Sequence, residues 1–168
     1  YFYEGCTCSY PLPTALALVS MPSTFEQWSS WGTSEPTDIR KLGINFGAPG
    51  DRIAGGLLWL EVPSKGGPSP AIDVKVEPDD AEYFYQHSLW MRGGNGWPWV
   101  AASGVRGATM ISIGNLKKSN YTVRLTFCVT EPKGRESTFG IVLQGEKVAA
   151  NFNPFDSAGG AMRSTIKE

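Results

Sequence analysis

Trp90, Trp97 and Trp99 fall within ten residues of one another, with Gly93, Gly94 and Gly96 between them and Tyr83, Phe84 and Tyr85 just upstream. Indole and phenol rings are apolar on their faces and polar at one edge, which suits them to surfaces that stay partly wet. A sugar has matching chemistry: its C–H faces stack on rings, and its hydroxyls need amide, carboxylate or guanidinium groups alongside. Arg92 and Asn95 sit among the tryptophans. The segment therefore reads as a platform for an oligosaccharide or polysaccharide, with Trp90, Trp97, Trp99 and Tyr85 as stacking rings and Arg92 and Asn95 as hydrogen-bonding partners. The same rings could instead cover a sheet edge or pack on a neighbouring domain, and the sequence leaves that choice open. Trp28 and Trp31 lie in a Ser/Thr/Gly/Pro-rich stretch, where docking of a linker is the simpler role.

Reaction chemistry is poorly provided for. A hydrolytic triad needs a histidine to shuttle protons; His87 is the single one in the chain, and no Gly-x-Ser-x-Gly turn occurs. Glu61, Asp73, Glu77, Asp79, Asp80 and Glu82 could be paired on paper for glycoside cleavage, but nothing in their spacing sets two of them across one cleft. The expectation is a non-catalytic protein. Cys6 and Cys8 lack the second Cys or His pair of a zinc site, and their closeness in an extended chain disfavours a mutual bridge. Cys128, inside an alternating apolar strand, reads as a buried thiol. No cofactor is expected. A structural calcium at "EPDDAE" is conceivable from its hard oxygens, although Asp79, Asp80 and Glu82 equally suit the positive end of a short helix. Asn120-Tyr121-Thr122 has the form of a glycosylation sequon, while Asn120 more simply caps a strand.

What must position these residues is extended chain. "KLGINFG" sets Leu42, Ile44 and Phe46 on one face, "GLLWLEV" follows, and "AIDVKV" opposes Ile72, Val74 and Val76 to Asp73 and Lys75. "EPDDAEYFYQHS" predicts one or two helical turns after Pro78. Strands are predicted again at "WVAAS", "ATMISI" and "NYTVRLTFCV", then in "FGIVL" and "VAANF" about a tight turn at "QGEK", whose glycine can take positive φ. Short strands, Gly/Pro punctuation and little helical periodicity predict an all-β, antiparallel β-sandwich with one or two short helical turns.

The chain is long enough for one main domain: 168 residues, of which 41% are hydrophobic and 18% charged. A net charge of −1 with scattered Lys and Arg gives no basic field for a phosphate backbone, so nucleic acid is not an expected partner. No apolar run approaches the roughly 20 residues of a membrane-spanning helix. "TALALVSM" at 14–21 alternates with both faces apolar, like a core strand of another body. The chain opens on Tyr1 without the basic start and apolar middle of a secretion signal, as a processed product or a fragment would. The expected organisation is a strand-like remnant over 1–22, a linker over 23–40 and the sandwich over 41–168.

From about residue 41 the order of motifs resembles the malectin-like family of jelly-roll-like, galactose-binding-like β-sandwiches. The resemblance rests on "LGINFG", on "NYTVRLTF" followed by a polar loop, on "STFGIVLQGEKV" in place of the family's Phe-x-Val-x-Leu-x-Gly-x-x-Val hairpin, and on "FDSAGG". It implies a carbohydrate-binding accessory domain, extracellular or periplasmic. The lead segment "YEGCTCSYPLPTALALVSMP" resembles the closing strand of a quinoprotein-like β-propeller in secreted bacterial proteins, which implies an upstream propeller, or other subunits, as packing partners. The family's adjacent aromatic pair is replaced here by Thr130, Glu131 and Pro132, and its later strand with a ligand-contacting acidic residue has no counterpart before Glu168. No sugar contact of the family is therefore carried over by position.

Overall fold

A computed structural model describes residues 41–63, 72–131 and 135–168. The expected propeller remnant over 1–22 and linker over 23–40, with Cys6, Cys8, Trp28 and Trp31, lie outside the described residues. The protein is all-β, with two short α-helices. The described residues divide into two compact units, one running up to Phe84 and including Gly104–Tyr121, the other comprising Tyr85–Ser103 and Thr122–Glu168.

The first unit is built on β1 (Gly43–Phe46), β2 (Arg52–Ala54) and β3 (Leu57–Val62), in the order β1-β3-β2. β2 and β3 are antiparallel, but β1 runs parallel to β3 with Gly43 opposite Trp59 and Phe46 opposite Val62. This departs from wholly antiparallel pairing. The connection that contains β2 carries the chain back, so β3 leaves in the direction of β1. Leu58 and Leu60 are buried, and Leu42, Ile53 and Ile72 pack against them. At Gly43 the indole of Trp59 fills the space that a Cβ would need.

β4 (Val74–Glu77) pairs antiparallel with β7 (Met110–Ile113), Val76 opposite Ile111. The alternation expected in "AIDVKV" is present: Val76 is buried, whereas Asp73 and Lys75 are exposed. The Lys75 ammonium meets the Glu77 carboxylate at 2.6 Å, and that hydrogen bond and charge hold its pKa above the ordinary lysine value. The helix expected after Pro78 does not form. One turn closes, Ala81 N–H donating to the Pro78 carbonyl, before β5 (Glu82–Tyr85) begins, because Tyr83 and Phe84 favour the pleated state. β5 pairs with β6 (Ser103–Arg106). Within the first unit the Arg106 guanidinium lies 4.2 Å from the centre of the Phe84 ring and reaches Glu82 at 3.2 Å.

The second unit holds a 3₁₀ turn (Ser88–Trp90), α1 (Pro98–Ala101), β8 (Leu125–Cys128), β9 (Phe139–Leu143), β10 (Glu146–Phe152), α2 (Pro154–Ala158) and β11 (Ser164–Lys167). The strand expected at "WVAAS" is instead the α1 helix. Pro98 occupies its first position, where a missing N–H is harmless, and Ala101 and Ala102 favour helix over strand. "NYTVRLTFCV" is a strand over its second half: β8 pairs antiparallel with β11, Cys128 opposite Ser164 and Leu125 opposite Lys167.

β9 and β10 form the expected hairpin, and both Gln144 (φ 51°) and Gly145 (φ 89°) take positive φ, as a two-residue turn matched to strand twist requires. Phe127, Phe139 and Phe152 meet with ring centres 5.1–5.7 Å apart. α2 has a complete set of end signals. Asn153 Oδ1 accepts from the N–H groups of Phe155 and Asp156, Pro154 opens the helix, and Gly159 closes it in the left-handed region at φ 70°. Among the described residues no helix is long and apolar enough to cross a membrane.

Candidate functional site

The six residues singled out from sequence all lie in the second unit, on the segment that runs from the last residue of β5 to β6. Tyr85 ends β5, and the Gln86 N–H donates to the Ala102 carbonyl at 2.9 Å, tying the start of the segment to its end. His87 Nδ1 accepts from Leu89 N–H and caps the 3₁₀ turn, a structural task for the chain's one histidine. Trp90 closes that turn. The turn packs against α1, and α1 packs against β8, so the tryptophan-bearing elements are seated on the sheet.

Between Trp90 and Trp97 the backbone is fastened to the residues leading into β11. Arg92 N–H donates to the Met162 carbonyl at 2.6 Å, and Asn95 N–H donates to the Ser164 carbonyl at 3.2 Å. Ser164 N–H donates to the Gly93 carbonyl at 2.9 Å. Ser164 Oγ accepts from Gly96 N–H at 2.9 Å, and its hydroxyl lies within donating distance of the Gly96 carbonyl. Arg163 bridges from the other side, Nε donating to the Ala158 carbonyl at 3.0 Å and Nη1 to the Arg92 carbonyl at 3.2 Å. The close approach demands glycine at 94, where φ is 110° and a Cβ would collide with the Ser164 backbone.

With its backbone engaged inward, the segment leaves its rings to solvent: Trp90 is 62% exposed, Trp97 42% and Tyr85 40%. Arg92 and Asn95 are also exposed. Trp97 and Trp99 are brought together, ring centres 5.4 Å apart and planes tilted by 40°. Trp99 is half-buried and backs its neighbour. Rings, a guanidinium and a carboxamide are thus open to solvent on one hydrogen-bonded segment, the groups that stacking with hydrogen bonding needs. Sequence reasoning missed Arg163 and Ser164, which hold the loop in place, because no local pattern marks contacts made so far along the chain.

Other reactive groups lie elsewhere or are quiet. Burial pushes the Cys128 thiol up to about 11, which keeps it protonated and unreactive near neutrality. Among the described residues no three His, Cys, Asp or Glu side chains gather in a group that could hold a metal ion, and Asp79 and Asp80 are exposed.

No protein-family model, curated protein or solved structure matches this chain. The malectin-like resemblance thus rests on the motifs quoted for it.

Proposed function

We propose that this chain is a non-catalytic carbohydrate-binding domain of the malectin-like β-sandwich kind, an accessory part of a larger secreted protein, working outside the cell or in the periplasm. The observation that carries the reading is the pair Trp90 and Trp97, large rings left open to solvent on a loop whose backbone is hydrogen-bonded in place. Exposed indoles on a rigid support lose little freedom on meeting a ligand, which is the condition for stacking to yield affinity. Arg92 and Asn95 supply the donors and acceptor for hydroxyls.

Intrinsic tryptophan fluorescence titrated against oligosaccharides, with a glycan array to find the ligand, tests this. Trp97→Ala is expected to weaken binding by roughly tenfold or more. An array blank at millimolar sugar would end the proposal.

A second reading has its own observation. On the β9–β10 hairpin Val142 is 58% exposed and Val148 57%, with Phe139 and Leu143 also exposed. Apolar side chains left exposed on both faces of one hairpin offer surface for another protein to cover. In this reading the chain is a structural module that packs on an upstream propeller or another subunit. Light scattering should then show association that the double change Val142→Lys and Val148→Lys removes; a chain monomeric at all concentrations speaks for the sugar reading alone.

A further inference from the structure

We infer that Ser164 is the positioning residue of the tryptophan loop, and that by holding the Asn95–Gly96 peptide it also protects Asn95 from deamidation. Asparagine followed by glycine is the most labile pairing in proteins, because the unhindered glycine nitrogen can reach the preceding carboxamide. The Gly96 amide nitrogen loses its proton and attacks Asn95 Cγ; a C–N bond forms, the carboxamide nitrogen leaves as ammonia, and water opens the resulting succinimide to Asp or isoaspartate. Asn95 is exposed to the water and base that this requires. Two features of the fold oppose it.

The Gly96 N–H is engaged by Ser164 Oγ at 2.9 Å, so its proton is held and its nitrogen is turned toward β11. The neighbouring Asn95 N–H is held by the Ser164 carbonyl, which fixes the backbone on both sides of the Asn95 carboxamide. Ser164 is among the most buried of the described residues, 2% exposed, so water competes poorly for its hydroxyl. Arg163 adds the outer strap, from the Ala158 carbonyl at the end of α2 to the Arg92 carbonyl. The Ser164–Gly96 bond thus serves two ends, a fixed platform and a preserved neutral side chain within it. Deamidation would turn an exposed neutral side chain into a carboxylate and withdraw a donor from the ligand surface. That last consequence rests on the sugar-binding reading; the protection does not.

The test has one arm without a variant, one with a variant and one with sugar. In the unaltered chain, hydrogen exchange followed by NMR should find the Gly96 and Asn95 amides protected, and a Gly96 amide exchanging at the free-peptide rate overturns the inference. Ser164→Ala, checked for an intact fold by its near-UV circular dichroism, should open the loop and speed deamidation at Asn95 by roughly fivefold, the effect of one lost neutral hydrogen bond on a local equilibrium. Peptide mass mapping reads this as replacement of NH₂ by OH at Asn95, against the exposed Asn120 and Asn151 as internal controls. An unchanged rate at Asn95 overturns the inference; if Ser164→Ala fails to fold, the exchange arm decides. Asn95→Asp should weaken sugar binding, and failure of this arm alone counts against the sugar reading and leaves the protection by Ser164 standing.

Discussion

Trp59 and Trp97 belong to different units and are used in opposite ways. Trp59, on β3, lies across Gly43 of the parallel neighbour β1, so the sheet has given up a side chain to make room for an indole. Trp97 sits at the head of α1 with 42% of its surface open and its ring centre 5.4 Å from that of Trp99. The first arrangement spends a large ring on packing. The second leaves one partly open to solvent. An aromatic residue is thus read by what has been removed around it: glycine opposite Trp59 lets a half-buried ring lie on the neighbouring strand, and glycine beneath the loop of Trp97 brings backbone, not ring, close to β11.

The comparison can be broken in several places. Leu60, buried beside Leu58 in the sheet that carries Trp59, should cost most: Leu60→Ala is expected to lose about 2–5 kcal/mol by leaving a cavity, measured by urea unfolding. Gly43→Ala adds a methyl where the indole already lies and should cost about 1–3 kcal/mol by overpacking, a loss that a second change of Trp59 to a smaller apolar residue partly relieves. Trp97→Ala should move stability by no more than about 0.5 kcal/mol while weakening the sugar response; a large loss of stability would make Trp97 a packing residue after all.

A separate effect, confined to alkaline pH, lies in the pH dependence of the second unit. Burial holds the Cys128 thiol neutral up to about pH 11, whereas the unfolded chain ionises near 9.0. The folded state's advantage from this group is complete below pH 9.0 and is lost as pH rises toward 11. Urea midpoints should therefore fall more steeply over that window in the parent chain than in Cys128→Ala.

Local chemistry accounts for what was legible in the sequence. The "QGEK" turn and the alternation of "AIDVKV" are set by near neighbours, and both stand in the fold as read. The end signals of α2 were equally local, Asn153, Pro154 and Gly159 in order, and a reading alert to helix caps would have placed it. At "WVAAS" the β-favouring Trp99 and Val100 pointed to a strand, yet Pro98 and the two alanines, seated against β8, made a helix. Leu143 and Phe139 share the strand face of Ile141, but Ile141 alone of the three is buried, since period-2 patterning gives the side of a sheet and not what covers it. Trp90, Trp97, Arg92 and Asn95 could be chosen by residue type. Ser164 could not, since its worth comes from a contact across 68 positions.

That span has a consequence for biosynthesis. The tryptophans emerge from the ribosome long before the strand that pins them, and the cost of closing so long a loop is repaid once β11 has zipped onto β8. A nascent chain halted before Met162 would carry every ring of the loop but none of the hydrogen bonds that tie it to Met162, Arg163 and Ser164, so that fastening waits on residues made 68–71 positions later.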